Sequence, residues 1–129
     1  MKRAAQVVGV LFLVAGIAGF IPALCPDGKV FGIFAVDAMH NAVHIISGII
    51  ALAMAFGEEA TARTYFRIFG VVYALVTILG FMAGRDGQVM GMAMNMADNV
   101  LHLVFAVAFL YLGFGWHRAL PPSRGPAAA

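Results

Sequence analysis

Two octapeptides hold most of the side chains in this sequence that could do chemistry: DAMHNAVH at 37–44 and NMADNVLH at 95–102. His40 and His44 stand at i and i+4, so on a helix both imidazoles leave one face and can meet a single ion. Asp98 and His102 repeat that spacing in the second octapeptide. Three ring nitrogens and one carboxylate suit tetrahedral Zn²⁺ or another borderline divalent transition metal. Asn41 and Asn99 would then orient the imidazoles from behind.

The same residues admit two other readings. Asn41 and His44 are three apart and share a face, as do Asn99 and His102. Gly48 and Ala106 continue those stripes with small residues, which suits close helix approach. Asn41 could bond His102 while Asn99 bonds His44, a polar cluster linking the two helices. Such bonds between membrane helices contribute about 0.6 kcal/mol on average, enough to fix partner and register without a ligand. Alternatively, His44 and His102 are the axial ligands of a b-type haem between helices. The extra polar groups in each motif crowd such a site. The structural cluster is the leading expectation, the metal site the runner-up, and haem or another membrane redox or transport role the third. Asp37 and Asn95 are read as helix caps, because an Asx side chain just before a helix accepts from its first free N–H groups.

These motifs sit in a very apolar chain. Of 129 residues, 63% are hydrophobic and 11% charged, with a mean hydropathy of +0.95. Soluble domains carry about 25% charged residues, so the expected class is an integral membrane protein. A span needs about 20 mostly apolar residues, and four segments qualify: 4–21, 38–56, 64–83 and 97–115. The start, MKRAAQVVGVLFLVAGIAGFIPALC, imitates a signal peptide, but its apolar run exceeds the usual length of about 7–15 residues. It is read as the first span. The tail 117–129 is Pro-rich and is expected to be disordered and cytoplasmic.

Lys2, Arg3, Arg63, Arg67, Arg118 and Arg124 fall on one side of these spans, Lys29 and Arg85 on the other. The positive-inside rule places both termini in the cytoplasm. Both octapeptides then lie at the outer ends of helices 2 and 4. The expected location is the bacterial cytoplasmic membrane, with the lipid bilayer as solvent.

The two halves repeat each other. VGVLFLVAGIAGFI (8–21) aligns with FGVVYALVTILGFM (69–82), and DAMHNAVH aligns with NMADNVLH. Asp37 meets Asn95, His40 meets Asp98, Asn41 meets Asn99, and His44 meets His102. Both hairpins run out and back, so they are parallel repeats, about 4–56 and 64–115, related by an axis along the membrane normal. The expected fold is an all-α, four-transmembrane-helix bundle over 1–116 with pseudo-twofold symmetry.

GFIP, GIFAVDAMHNAVHIISGIIAL, VVYALVTILGF and NMADNVLHLVFAVAFLYLG resemble a family of small bacterial four-helix membrane proteins catalogued as a domain of unknown function. That family carries an HNxxH-type motif in helix 2 and a DNxxH-type motif in helix 4. The resemblance, over about 5–115, implies fold and topology. It implies no activity.

Other features have plainer readings. Met90, Met92, Met94 and Met96 alternate beside Asp98, and thioethers prefer Cu(I), with Cys25 and Met39 as further soft candidates. The aligned first half has Phe34 and Val36 opposite Met92 and Met94, so the methionines are read as flexible apolar filler in a lid. FGIFAV (31–36) is too short to span and is expected along the interface or folded over the motif. Gly9, Gly16, Gly19, Gly70 and Gly80 are read as packing sites, Glu58 and Glu59 as a solvated turn, and His117 as interfacial. No nucleotide loop, nucleophile elbow or protease motif occurs, and no basic cluster suits nucleic acid. The expected function is a non-enzymatic membrane component, self-assembling or an accessory subunit of a larger complex.

Overall fold

The computed structural model describes residues 1–115. Trp116, His117, Arg118, Arg124 and the tail lie outside the described residues. The chain is mostly helical, with four long helices: α1 (Lys2–Ala18), α2 (Ala38–Phe56), α3 (Glu59–Ala83) and α4 (Met96–Leu110), the last prolonged by a π-helical turn, Tyr111–Gly115. Among the described residues, three stretches are long and apolar enough to cross a membrane: α2, α3 and Met96–Gly115. The first helix has 17 residues and stops at Ala18, short of the expected 21. Pro22 explains the early end: it has no N–H to continue the ladder and pushes Ile21 into an extended conformation.

The helices present their apolar residues outward. Val7, Val10, Val14 and Ile17 on α1, Ile46 and Ile49 on α2, Leu75 and Ile78 on α3, and Val104 and Val107 on α4 are all exposed. Exposed apolar faces on every long helix mark a protein whose solvent is lipid. The interior is aromatic instead. Phe12, Tyr65, Phe66, Tyr73 and Phe109 are buried. Phe12 stacks on Tyr73 at 5.7 Å and meets Phe105 edge-on at 5.2 Å, which joins α1 to α3 and α4.

Within the first half, α1 lies along α2. Gly9 and Gly48 face each other: a Cβ on either would fall 2.8–3.0 Å from the other's carbonyl oxygen. Glycine is required there because the backbones touch. Within the second half, α3 lies along α4, with Gly70 against the Leu110 backbone.

Two small β-hairpins cap the loop end, where the sequence predicts only irregular or interfacial segments. β1 (Lys29–Val30) pairs with β2 (Phe34–Ala35), and β3 (Asp86–Val89) pairs with β4 (Met92–Asn95), both antiparallel. Met90 and Gly91, between Val89 and Met92, both have positive φ, the geometry of a two-residue type I′ turn.

Each hairpin is fastened to the other half by a carboxylate. Asp37 accepts from Ala93 N at 2.5 Å, and Asp98 accepts from Ala35 N at 3.0 Å. Asn95 Nδ2 adds a bond to Ile33 O at 2.7 Å.

Candidate metal centre

The first turns of α2 and α4 place the side chains that the sequence singles out. Asp37 caps α2, accepting from His40 N at 2.8 Å. Partial burial would raise its pKa, but the N–H bonds from Ala93 and His40 win and hold the carboxyl below its usual range. Asn95 caps α4 through a full capping box: its Oδ1 accepts from Asp98 N, and Asp98 Oδ2 accepts from Asn95 N.

His40 occupies on α2 the position that Asp98 holds on α4, and it turns inward. Its Nδ1 lies 3.0 Å from the carbonyl oxygen of Ala93. A carbonyl only accepts, so Nδ1 carries a proton, and in the neutral ring Nε2 then keeps its lone pair. Nε2 is buried and has no hydrogen-bond partner among the described residues. His44 follows one turn later, with its ring centroid 4.6 Å from that of His40 and its face stacked on Phe12. His102 comes from α4, 5.9 Å from His40 and 6.3 Å from His44, with Tyr73 against it edge-on. Its Nδ1 is also buried and unpartnered.

One nitrogen from each of His40, His44 and His102 lies within 4.8 Å of the others. Nitrogens about 2 Å from a shared tetrahedral ion stand about 3.3 Å apart. A backbone carbonyl that fixes the tautomer of one imidazole is the usual outer support of a metal-bound histidine.

Asp98 is not part of that converging group, although it lines a cavity with His44 and His102. Its Oδ2 is held by two backbone N–H groups, from Asn95 and Ala35. A carboxylate in a first helical turn is drawn to those orphan donors; of the four residues expected from the sequence, His40, His44 and His102 are the ones whose ligand atoms converge. Asn41 and Asn99 also differ from expectation. Among the described residues neither bonds a histidine. Asn99 donates to Gly80 O at 3.0 Å, and its Oδ1 would lie 2.1 Å from a Cβ built on Gly80. Asn41 Oδ1 lies 2.0 Å from a Cβ built on Gly19. Each asparagine fills the space over a glycine of its own half: Asn41 over Gly19, the C-cap of α1, and Asn99 over Gly80 of α3.

Two cavities flank the pair His44 and His102. The smaller, about 50 Å³, is also lined by His40, Ser47, Tyr73, Met92 and Met94. The larger, about 310 Å³, is also lined by Phe12, Phe34, Val36, Asp98 and Phe105. Met92 and Met94 read as filler in the sequence, yet they share a cavity with all three histidines. Their alternate spacing is the signal: residues two apart on a strand face the same side. Cys25 and Met39 line neither of these cavities. Cys25 donates instead to Ala18 O at 3.3 Å, and Met39 is exposed.

With this geometry in place, the comparison with family models is specific. Residues 2–115 match the family described as Domain of unknown function (DUF4383). The chain belongs to that family. No curated protein and no solved structure matches it.

Proposed function

We propose that this DUF4383 member is a non-enzymatic, transition-metal-binding protein of the bacterial cytoplasmic membrane. The observation that carries the reading is the convergence of His40, His44 and His102, with the His40 tautomer fixed by Ala93 O and its Nε2 lone pair buried without a partner. An unpaired polar atom in such surroundings is costly, and an ion relieves it. Zn²⁺ and its neighbours in the transition series suit imidazole donors. Haem fits poorly between His44 and His102, because the His40 ring stands beside both within the radius of a macrocycle.

The chain would form a four-span bundle of two parallel hairpin repeats, with pseudo-twofold symmetry and both termini cytoplasmic. A 17-residue α1 is about 26 Å long, and exposed Phe20 and Ile21 extend its apolar surface toward the roughly 30 Å of a hydrocarbon core. The Lys and Arg bias supports the orientation and puts the metal site near the outer face. Residues 1–116 would be one domain, followed by a cytoplasmic tail.

Metal analysis after purification without chelator or metal-affinity resin tests this. One ion per chain is expected in the wild type, and none in His44→Ala or His102→Ala. A metal-free wild type that also fails to take up added ions overturns the reading.

A second reading is favoured by one observation: the rings of His40 and His44 on α2 contact that of His102 on α4. The cluster would then tie two helices together in a subunit that assembles with itself or with a membrane partner. That reading expects His102→Ala to lower thermal stability equally with and without metal, and to weaken co-purification of a partner or a second copy.

A further inference from the structure

We infer that the small cavity is a Cu(I) site in which the thioethers of Met92 and Met94 join the three histidines. This rests on the metal-binding reading above and specifies the ion. The cavity of about 50 Å³ has room for an ion and at most a water or two. Organic ligands occupy pockets several times larger, about 300 Å³ and upward.

The donor set is soft. Met92 and Met94 are 8% and 2% exposed and line the same cavity as His40, His44 and His102. Thioethers suit Cu(I), whereas the usual protein ligands of Zn²⁺ are thiolate, imidazole and carboxylate. The donors themselves are also neutral: among the described residues no carboxylate lines this cavity, and Asp37 and Asp98 act on His40 only from outside it. Transfer into a low-dielectric interior costs in proportion to the square of the charge, so a divalent ion meets about four times the penalty of a monovalent one. A cavity of neutral imidazoles and thioethers therefore favours the monovalent ion.

The repeat supplies an internal control. Phe34 and Val36 align with Met92 and Met94, and Asp98 aligns with His40. Those three line the larger chamber, where Asp98 is held by backbone N–H groups. Both methionines and the third imidazole thus line one cavity beside the His44–His102 pair. A single strand organises that side: β4 carries Met92 and Met94 and, between them, the Ala93 carbonyl that orients His40. A strand serving only as a lid has no need to combine these features.

The full chain, purified in detergent, can be titrated anaerobically with Cu(I) against a chromogenic Cu(I) chelator, and separately with Zn(II). Wild type should bind one Cu(I). Met92→Leu and Met94→Leu, which nearly conserve volume, should each weaken Cu(I) roughly 10- to 100-fold, the range that even an outer partner of a metal site costs. Zn(II) affinity should stay unchanged, which also verifies the fold of each variant. Met90→Leu, at a 79% exposed turn position, should alter neither ion. X-ray absorption of the Cu(I) form should show sulfur neighbours that the double variant lacks. Cu(I) affinity unmoved by the double substitution, or Zn(II) bound where Cu(I) is not, overturns the copper assignment and leaves the histidine centre standing. Binding of neither ion overturns both.

Discussion

On one side of the His44–His102 pair lies a chamber of about 310 Å³, and on the other a cavity of about 50 Å³. Aligned positions of the two halves line them. Phe12 answers Tyr73, Phe34 answers Met92, Val36 answers Met94, Asp98 answers His40, Leu101 answers Val43, and Phe105 answers Ser47. One side has become apolar and roomy, the other small and rich in donors. The decisive difference is the third residue of the helix. In α4 it is Asp98, which closes a capping box and fastens the opposite hairpin through Ala35 N. In α2 it is His40, which leaves capping to Asp37 and turns its ring to the centre. A position that serves the backbone in one half is free for chemistry in the other, because Asp37 itself accepts from the opposite hairpin at Ala93 N, whereas the matching Ala35 N–H is taken by Asp98.

The sharpest way to break this contrast is to make the halves alike. His40→Asp gives α2 the residue of α4. The new carboxylate should be drawn to the N–H groups of its own first turn, removing one of three ligands. Metal affinity should fall more than about 100-fold, beyond what loss of an outer partner costs, while the thermal melt stays cooperative. Retention of wild-type affinity would mean that a carboxylate at this position can ligate. Asp98 would then become a ligand candidate again.

The complementary variant is Asp98→Ala. It strips the acceptor from the Asn95 and Ala35 N–H groups, and a buried orphan donor costs about 1–3 kcal/mol. The melting temperature should drop, and metal affinity should move no more than a few-fold. Loss of metal from a variant that still melts cooperatively would put Asp98 back in the ligand set.

How much of this is legible in the sequence divides along physical lines. The helices are, because long apolar runs and Asx caps at Asp37 and Asn95 are local signals. The pairing of His40 with His44 is, because i and i+4 fix a shared helix face. The fate of Asp98 is only half legible. Its place near a helix start announces capping, but the Ala35 N–H that holds it comes from 63 residues away. Nothing local marks such a partner. The asparagines depart from the sequence reading for a similar reason. Their helix face is clear from spacing, but which neighbour that face meets depends on how closely Gly19 and Gly80 let the preceding helix approach. The second β-hairpin has a local signal too, the alternation of Met92 and Met94 after Gly91. That period-two pattern is easily hidden by the expectation of a membrane lid.

Those asparagines provide the finest test of the two halves. A Cβ at Gly19 or at Gly80 would fall on the Oδ1 of Asn41 or Asn99, at 2.0 and 2.1 Å. Alanine at either place must displace a buried side chain, and overpacking of this kind costs about 1–3 kcal/mol. The two sites are unequal in one respect. Asn99 Nδ2 donates to Gly80 O, so displacing it also removes a hydrogen bond. At Gly19, the residue that Asn41 covers, packing alone opposes the new methyl. A net hydrogen bond contributes about 1 kcal/mol, so Gly80→Ala should destabilise more than Gly19→Ala by about that amount in parallel thermal melts. Removing the asparagines first separates the terms. In an Asn99→Ala background the Gly80→Ala cost should shrink to near zero, because the methyl then enters the vacated space. In an Asn41→Ala background the Gly19→Ala cost should shrink likewise, and the difference between the two halves should vanish. A Gly80→Ala cost that persists without Asn99 would locate the constraint in the α3–α4 backbone approach. The glycine–asparagine pair would then be incidental to how closely these helices pack.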